Sequence, residues 1–116
     1  MVQQVPDLQY IRLRKTQLTD ESIRAIATKY NTKLQKLDIC LCDQITNHSL
    51  QYIYENCTQL EKLYLSWITS CTNDDVKNIL YNCSSLKILK LEGCKNITSE
   101  VIIKANKLNY FRHWNV

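Results

Sequence analysis

Leu8, Leu34, Leu60 and Leu86 stand 26 residues apart, and each opens the same short pattern. From Leu34 the pattern runs through Leu37, Ile39 and Cys42 to Ile45-Thr46. From Leu86 it runs through Leu89, Leu91 and Cys94 to Ile97-Thr98. Looser copies hold Leu60, Leu63 and Leu65, and Leu8, Ile11 and Leu13. A fixed step of this size means one supersecondary unit stacked on copies of itself, because a single unit cannot bury its own apolar face.

Within each unit the apolar period changes. Leucines alternate at the start, the spacing of a strand. Further on, Leu50, Ile53 and Cys57, and Val76, Ile79, Leu80 and Cys83, fall on one helical stripe. In the first unit Ile23, Ile26 and Tyr30 hold that place, over a helix expected at about 20–29. The predicted N-caps are Thr19 or Asp20, Thr46, Thr72 or Asn73, and Thr98 or Ser99, whose short side chains can take a helix's first free N–H. In the fourth unit Ile102 and Ala105 take the helix positions. The chain therefore reads as one domain of four units, 8–33, 34–59, 60–85 and 86–107. Leu108 and Phe111 suggest a terminal strand over 108–114, four residues out of step. The expected fold class is α/β: a right-handed solenoid with a parallel sheet on its concave face and helices on its convex face.

Composition removes several classes. There is one Gly in the chain, so no glycine-rich phosphate loop exists. No apolar run approaches the roughly 20 residues of a membrane span. The N-terminus lacks the basic and apolar regions of a signal peptide, which points to an intracellular, reducing setting. Four N-x-[ST] sequons begin at Asn47, Asn56, Asn82 and Asn96, but two of them are the same unit position repeated. The net charge of +4 favours an acidic partner without reaching the dense basic stripe of a dedicated DNA binder.

Five of the six cysteines occupy recurring positions: Cys42 with Cys94, Cys57 with Cys83, and Cys71 at the place of Ile45 and Ile97. They read as small apolar side chains filling tight turns. Disulfides between equivalent positions are disfavoured. Two strand spacings are roughly 9–10 Å and adjacent helix axes roughly 8–10 Å, beyond the roughly 7 Å a bridge spans. Cys40 alone is off the pattern and is expected to be the exposed thiol. Cys40-x-Cys42 has no second pair, and His48 and His113 are isolated, so neither metal nor cofactor is implied. A thiol or metal enzyme using Cys40 and Cys42 is the weakest of the functional readings.

The run Cys83-x-x-Leu86-x-x-Leu89-x-Leu91-x-x-Cys94-x-x-Ile97-Thr98, with Cys57-x-x-Leu60-x-x-Leu63-x-Leu65 before it, resembles the cysteine-containing leucine-rich repeat of F-box and related repeat-only proteins, with ribonuclease-inhibitor-like units. The resemblance covers about residues 8–107. It implies a scaffold whose repeats present substrates to a cullin-type ubiquitin ligase, while a separate F-box segment binds the ligase adaptor. Nothing in the first seven residues is long enough for an F-box, so the expectation is a repeat-only relative or a fragment of a longer chain. Thr16 and Tyr30 depart from the cysteine pattern, as a terminal unit would.

Positions 3, 5 and 7 of each strand are expected to face outward. They place Tyr10, Arg12, Arg14, Lys36, Asp38, Cys40, Lys62, Tyr64, Ser66, Ile88, Lys90 and Glu92 on the concave face, with Tyr110, Arg112 and Trp114 from the terminal strand. Trp67 follows at a strand exit. This set has no catalytic grouping, but it has aromatics among cations, the residue types enriched at binding hot spots. The leading expectation is a non-catalytic protein-interaction module using Tyr10, Arg12, Arg14, Lys36, Asp38, Lys62, Tyr64, Trp67 and Lys90, with an acidic protein partner and no membrane. Nucleic-acid binding by the same face, with Tyr64 and Trp67 stacking on bases, is the alternative.

Overall fold

The computed structural model describes residues 9–101 and the backbone of 113–115. In chain order the elements are β1 (Tyr10–Arg12), α1 (Asp20–Lys29), β2 (Lys36–Asp38), α2 (Asn47–Asn56), β3 (Lys62–Tyr64), α3 (Asn73–Asn82), β4 (Ile88–Lys90) and β5 (His113–Asn115). Residues 99–101 are also helical. The architecture is α/β, with a parallel sheet in strictly sequential order, β1-β2-β3-β4-β5.

The 26-residue echo is a spatial register. Ile11 pairs with Leu37, Leu37 with Leu63, and Leu63 with Leu89. These leucines point at the helices: Leu37, Leu63 and Leu89 are fully buried, as are Ile39, Leu65 and Leu91 two residues on. Ile23, Leu50, Ile53, Val76 and Ile79 meet them from the helices in one continuous core. Ile11 packs against that core only in part.

The strands are shorter than expected, three residues each, but the parallel ladder continues past them. Leu13, Ile39 and Leu65 donate their N–H groups to Asp38, Tyr64 and Lys90. Lys15, Leu41 and Trp67 then donate to Cys40, Ser66 and Glu92.

The helices start where their caps predict. Thr19, Thr46 and Thr72 are the N-caps, each accepting from a backbone N–H within the first turn. Thr72 and Asp75 form a full capping box. Tyr30, Cys57 and Cys83 are the three C-caps, so Tyr30 fills the cysteine's place in the first unit.

All six thiols are free and buried. Their placement has a polar reason besides size. Cys42 Sγ donates to the Leu13 carbonyl at 3.0 Å, Cys94 Sγ to the Leu65 carbonyl at 3.1 Å, and Cys83 Sγ to the Cys57 carbonyl at 3.5 Å. Each thiol thus reaches back one unit. Burial pushes the Cys57 thiol up to about 12 and the Cys83 thiol up to about 11.

The terminal strand corrects the sequence reading. Its register is Leu89 with Trp114, a step of 25 rather than 22. Trp114 is therefore the backbone partner of Leu89, as Leu63 is on the other side. The expectations for Ile102, Ala105, Leu108, Tyr110, Phe111 and Arg112 lie outside the described residues.

Candidate functional site

Among the described residues, helices cover one face of the sheet and none covers the other. Its floor is set by the pleat: residues flanking the buried leucines in each strand point away from the core. Tyr10, Arg12 and Arg14 are exposed there, and Lys36, Lys62, Tyr64 and Lys90 are partly buried. The structure thus brings the expected cations together on one surface.

Three expected outward residues are not exposed. Asp38 is 3% exposed, Cys40 4% and Ser66 8%. Asp38 lies beneath two arginines, with Arg12 Nε at 3.7 Å and Arg14 Nε at 3.8 Å from its Oδ2. Its Oδ1 accepts from the Cys40 N–H at 3.1 Å. Asp38 is therefore a support for the arginines rather than a contact surface. The Nε distances make ion pairs rather than hydrogen bonds. The expectation of an exposed Cys40 is also corrected: it is buried, and that burial, with Asp38 next to it, pushes its thiol up to about 11. That suits an inert side chain, since the thiolate is the reactive form.

Tyr64 sits at the centre. Lys36 Nζ lies 5.1 Å and Lys90 Nζ 4.7 Å from its ring centroid, one from each neighbouring strand. Around it a cavity of about 300 Å³ is lined by Arg12, Arg14, Lys36 and Lys90, with Asp38 and Glu92 as the acids. Trp67 closes one side of this cavity. A second recess of about 210 Å³ lies between Tyr10, Arg12, Lys36 and Lys62.

The strand exits hold a feature that spacing alone does not show. Lys15, Leu41, Trp67 and Gly93 share one unit position, and all four are left-handed, with φ of 57°, 63°, 66° and 72°. Gly suits that conformation, whereas a side chain there costs roughly 1–2 kcal/mol. The turn recurs because the N–H of each of the first three is drawn to the neighbouring strand's carbonyl. Trp67 nevertheless stays 56% exposed. Its indole lies over Gly93, where a Cβ would come within 2.3 Å of Cδ2 and Cε3. Gly93 is the residue the sequence reading missed. Its being the one glycine of the chain, at the unit position of Trp67, is the signal that could have found it.

The sequons are structural. Asn47 donates its side-chain amide to the Ser70 carbonyl, Asn56 to Tyr52, Asn82 to Asn78 and Asn96 to Thr69, each at 2.8 Å. A glycan on any of them would disturb a helix or loop bond.

Among the described residues no group of three or more His, Cys, Asp or Glu side chains converges as metal ligands would, and no helix is long and apolar enough to cross a membrane. No protein-family model matches the chain, and no curated protein matches it.

Proposed function

We propose that this chain is a leucine-rich-repeat solenoid whose concave sheet face serves as a non-catalytic docking surface for an acidic protein. The observation that carries this reading is the central groove, where four cations outnumber two carboxylates and one of those carboxylates is buried beneath the arginines. Guanidinium ends anchored from behind keep less freedom to lose on binding. The exposed Tyr10 and Trp67 supply contact area beside them.

The resemblance to F-box-type repeats gives this reading a specific form, the substrate-recognition repeat of a cullin-type ligase receptor inside the cell. Nucleic-acid binding ranks lower for a reason on this face. The Tyr64 ring is already engaged by two ammonium groups, so it offers a base less of its stacking surface.

Charge reversal tests it. Arg12→Glu, Lys36→Glu and Lys62→Glu together should cut retention of the captured proteins by about tenfold or more in a quantitative pull-down, because rim charges act additively on encounter and affinity. Equal retention by the triple variant would remove this face from the function. Steep competition by single-stranded oligonucleotide would move the reading to nucleic acid.

A further inference from the structure

We infer that the open face reads two points of one extended acidic segment. Acidic side chains sit over Arg12, Arg14, Lys36 and Lys90, and one large apolar side chain sits beyond the Trp67 indole against Leu91 and Gly93. This rests on the acidic-partner reading above and adds a second contact and a distance.

Trp67 separates two unlike cavities. On one side is the charged groove of about 300 Å³. On the other is a recess of about 500 Å³ lined by Trp67, Thr69, Leu91, Gly93, Cys94 and Lys95, where most of the exposed lining is apolar. The left-handed turn is common to all four units, so its φ does not set Trp67 apart. What does is a large aromatic left more than half exposed between the charged groove and the apolar recess, the residue type that anchors bound chains. Gly93 completes the recess, since any side chain there would strike the indole.

The sheet sets the spacing. From β1, which carries Arg12, to the β3 exit at Trp67 is two strand steps, about 10 Å, and to β4 three, about 14 Å. An extended peptide rises about 3.3 Å per residue, so three to four residues separate the acid held over Arg12 and Arg14, at the far end of the groove, from the apolar anchor. Charge selects the occupant: the groove's surplus of cations fits acidic side chains, and the apolar recess fits an aliphatic or aromatic side chain of the same segment.

The test is fluorescence anisotropy with the full chain and a labelled peptide of three glutamates, three alanines and one phenylalanine. Replacing the phenylalanine by alanine, or moving it next to the glutamates, should each weaken binding at least tenfold. Trp67→Gly should abolish that difference. It suits the left-handed backbone, and a thermal melt near that of the parent protein verifies its fold; Trp67→Leu serves as a second variant. Arg12→Gln with Lys36→Gln should weaken all three peptides. Equal binding of the three peptides, or a difference that survives Trp67→Gly, overturns the two-point inference. If the arginine and lysine substitutions still weaken binding in that case, the acidic-partner reading stands alone. If they do not, both fall, and so they do if no peptide binds. An oligonucleotide that displaces the peptide at equal concentration overturns the choice of occupant.

Discussion

At Gly93 two constraints meet on one Cα. The backbone there is left-handed, at φ of 72°, and the Trp67 indole occupies the space a Cβ would need. Lys15 holds the same turn at φ of 57° with no tryptophan above it, and it is exposed. The two positions therefore separate conformation from collision. Gly93→Ala should destabilise the protein by about 1–2 kcal/mol from the conformation, with further loss as the indole is displaced. Lys15→Gly relieves the conformation with no collision involved and should stabilise the protein by up to about 1 kcal/mol. Urea unfolding measures both, and tryptophan emission should shift in the first variant only. A loss at Gly93 no larger than the gain at Lys15 would mean that the indole does not rest on Gly93. Asp38 teaches a related lesson. Alternation correctly placed it on the open face, but alternation carries no information about what lies over a residue, and two arginines bury it.

The helices join neighbouring units through their N-termini. Asp20, the first residue of α1, accepts from Thr46 N at 2.9 Å, from Thr46 Oγ1 at 2.5 Å and from Ser49 Oγ at 2.5 Å, all at the start of α2. Asp75 does the same backward from α3: its Oδ2 accepts from Thr72 N and Oγ1 and, at 2.8 Å, from Asn47 Nδ2 of α2. For Asp20, partial burial raises the carboxyl pKa, but the Ser49 and Thr46 donors and nearby His48 outweigh it and hold the pKa below the ordinary 3.8. A lowered folded pKa gives stability that is complete above the unfolded value and is lost as pH falls through the folded one. Asp20→Asn should thus cost about 1 kcal/mol at pH 7, and the difference from the parent should shrink as pH drops below about 4. Urea midpoints measured down the pH scale check this; a gap that stays constant would show that the charge does not matter. These inter-unit bonds were beyond the sequence reading, although the elements that make them were not. Helix positions followed from the stripe and from Thr19, Thr46 and Thr72, because a cap acts locally. The pairing of Asp20 with residues 26 and 29 positions later depends on how tightly units stack. The terminal strand failed for the same kind of reason. Leu108 and Phe111 imitate the leucine spacing, yet the strand pairs through Trp114, because register is set by the neighbouring strand and not by local pattern.

Among the described residues, helices meet only neighbouring helices, α1 with α2 and α2 with α3, and each strand pairs only with neighbouring strands. Stability in such an arrangement approximates a sum of unit and interface contributions and need not be uniform along the chain. The gradient is visible in the core. Leu37 and Leu63 are fully buried, whereas Ile11 at the same position of β1 is only partly covered, because it has a paired strand on one side among the described residues. Native-state hydrogen exchange should therefore rank the ladder. The amides of Ile39 and Leu65, which tie β2 to β3 and β3 to β4, should exchange more slowly than those of Leu13 and Lys15, which tie β1 to β2. Leu63→Ala should cost about 2–5 kcal/mol, since it opens a cavity between two stacked units, and should speed exchange on both sides of β3. Equal protection from β1 to β4 would instead mean a single cooperative block. In that case Arg12 and Arg14 would be held as rigidly as Tyr64. If the gradient holds, the two arginines ride on the loosest described strand, tied to the firmer centre through Asp38. An acidic ligand bridging Arg12 and Lys90 would then slow the exchange of Leu13 and Lys15 most, because it fastens the edge to the strands that already hold.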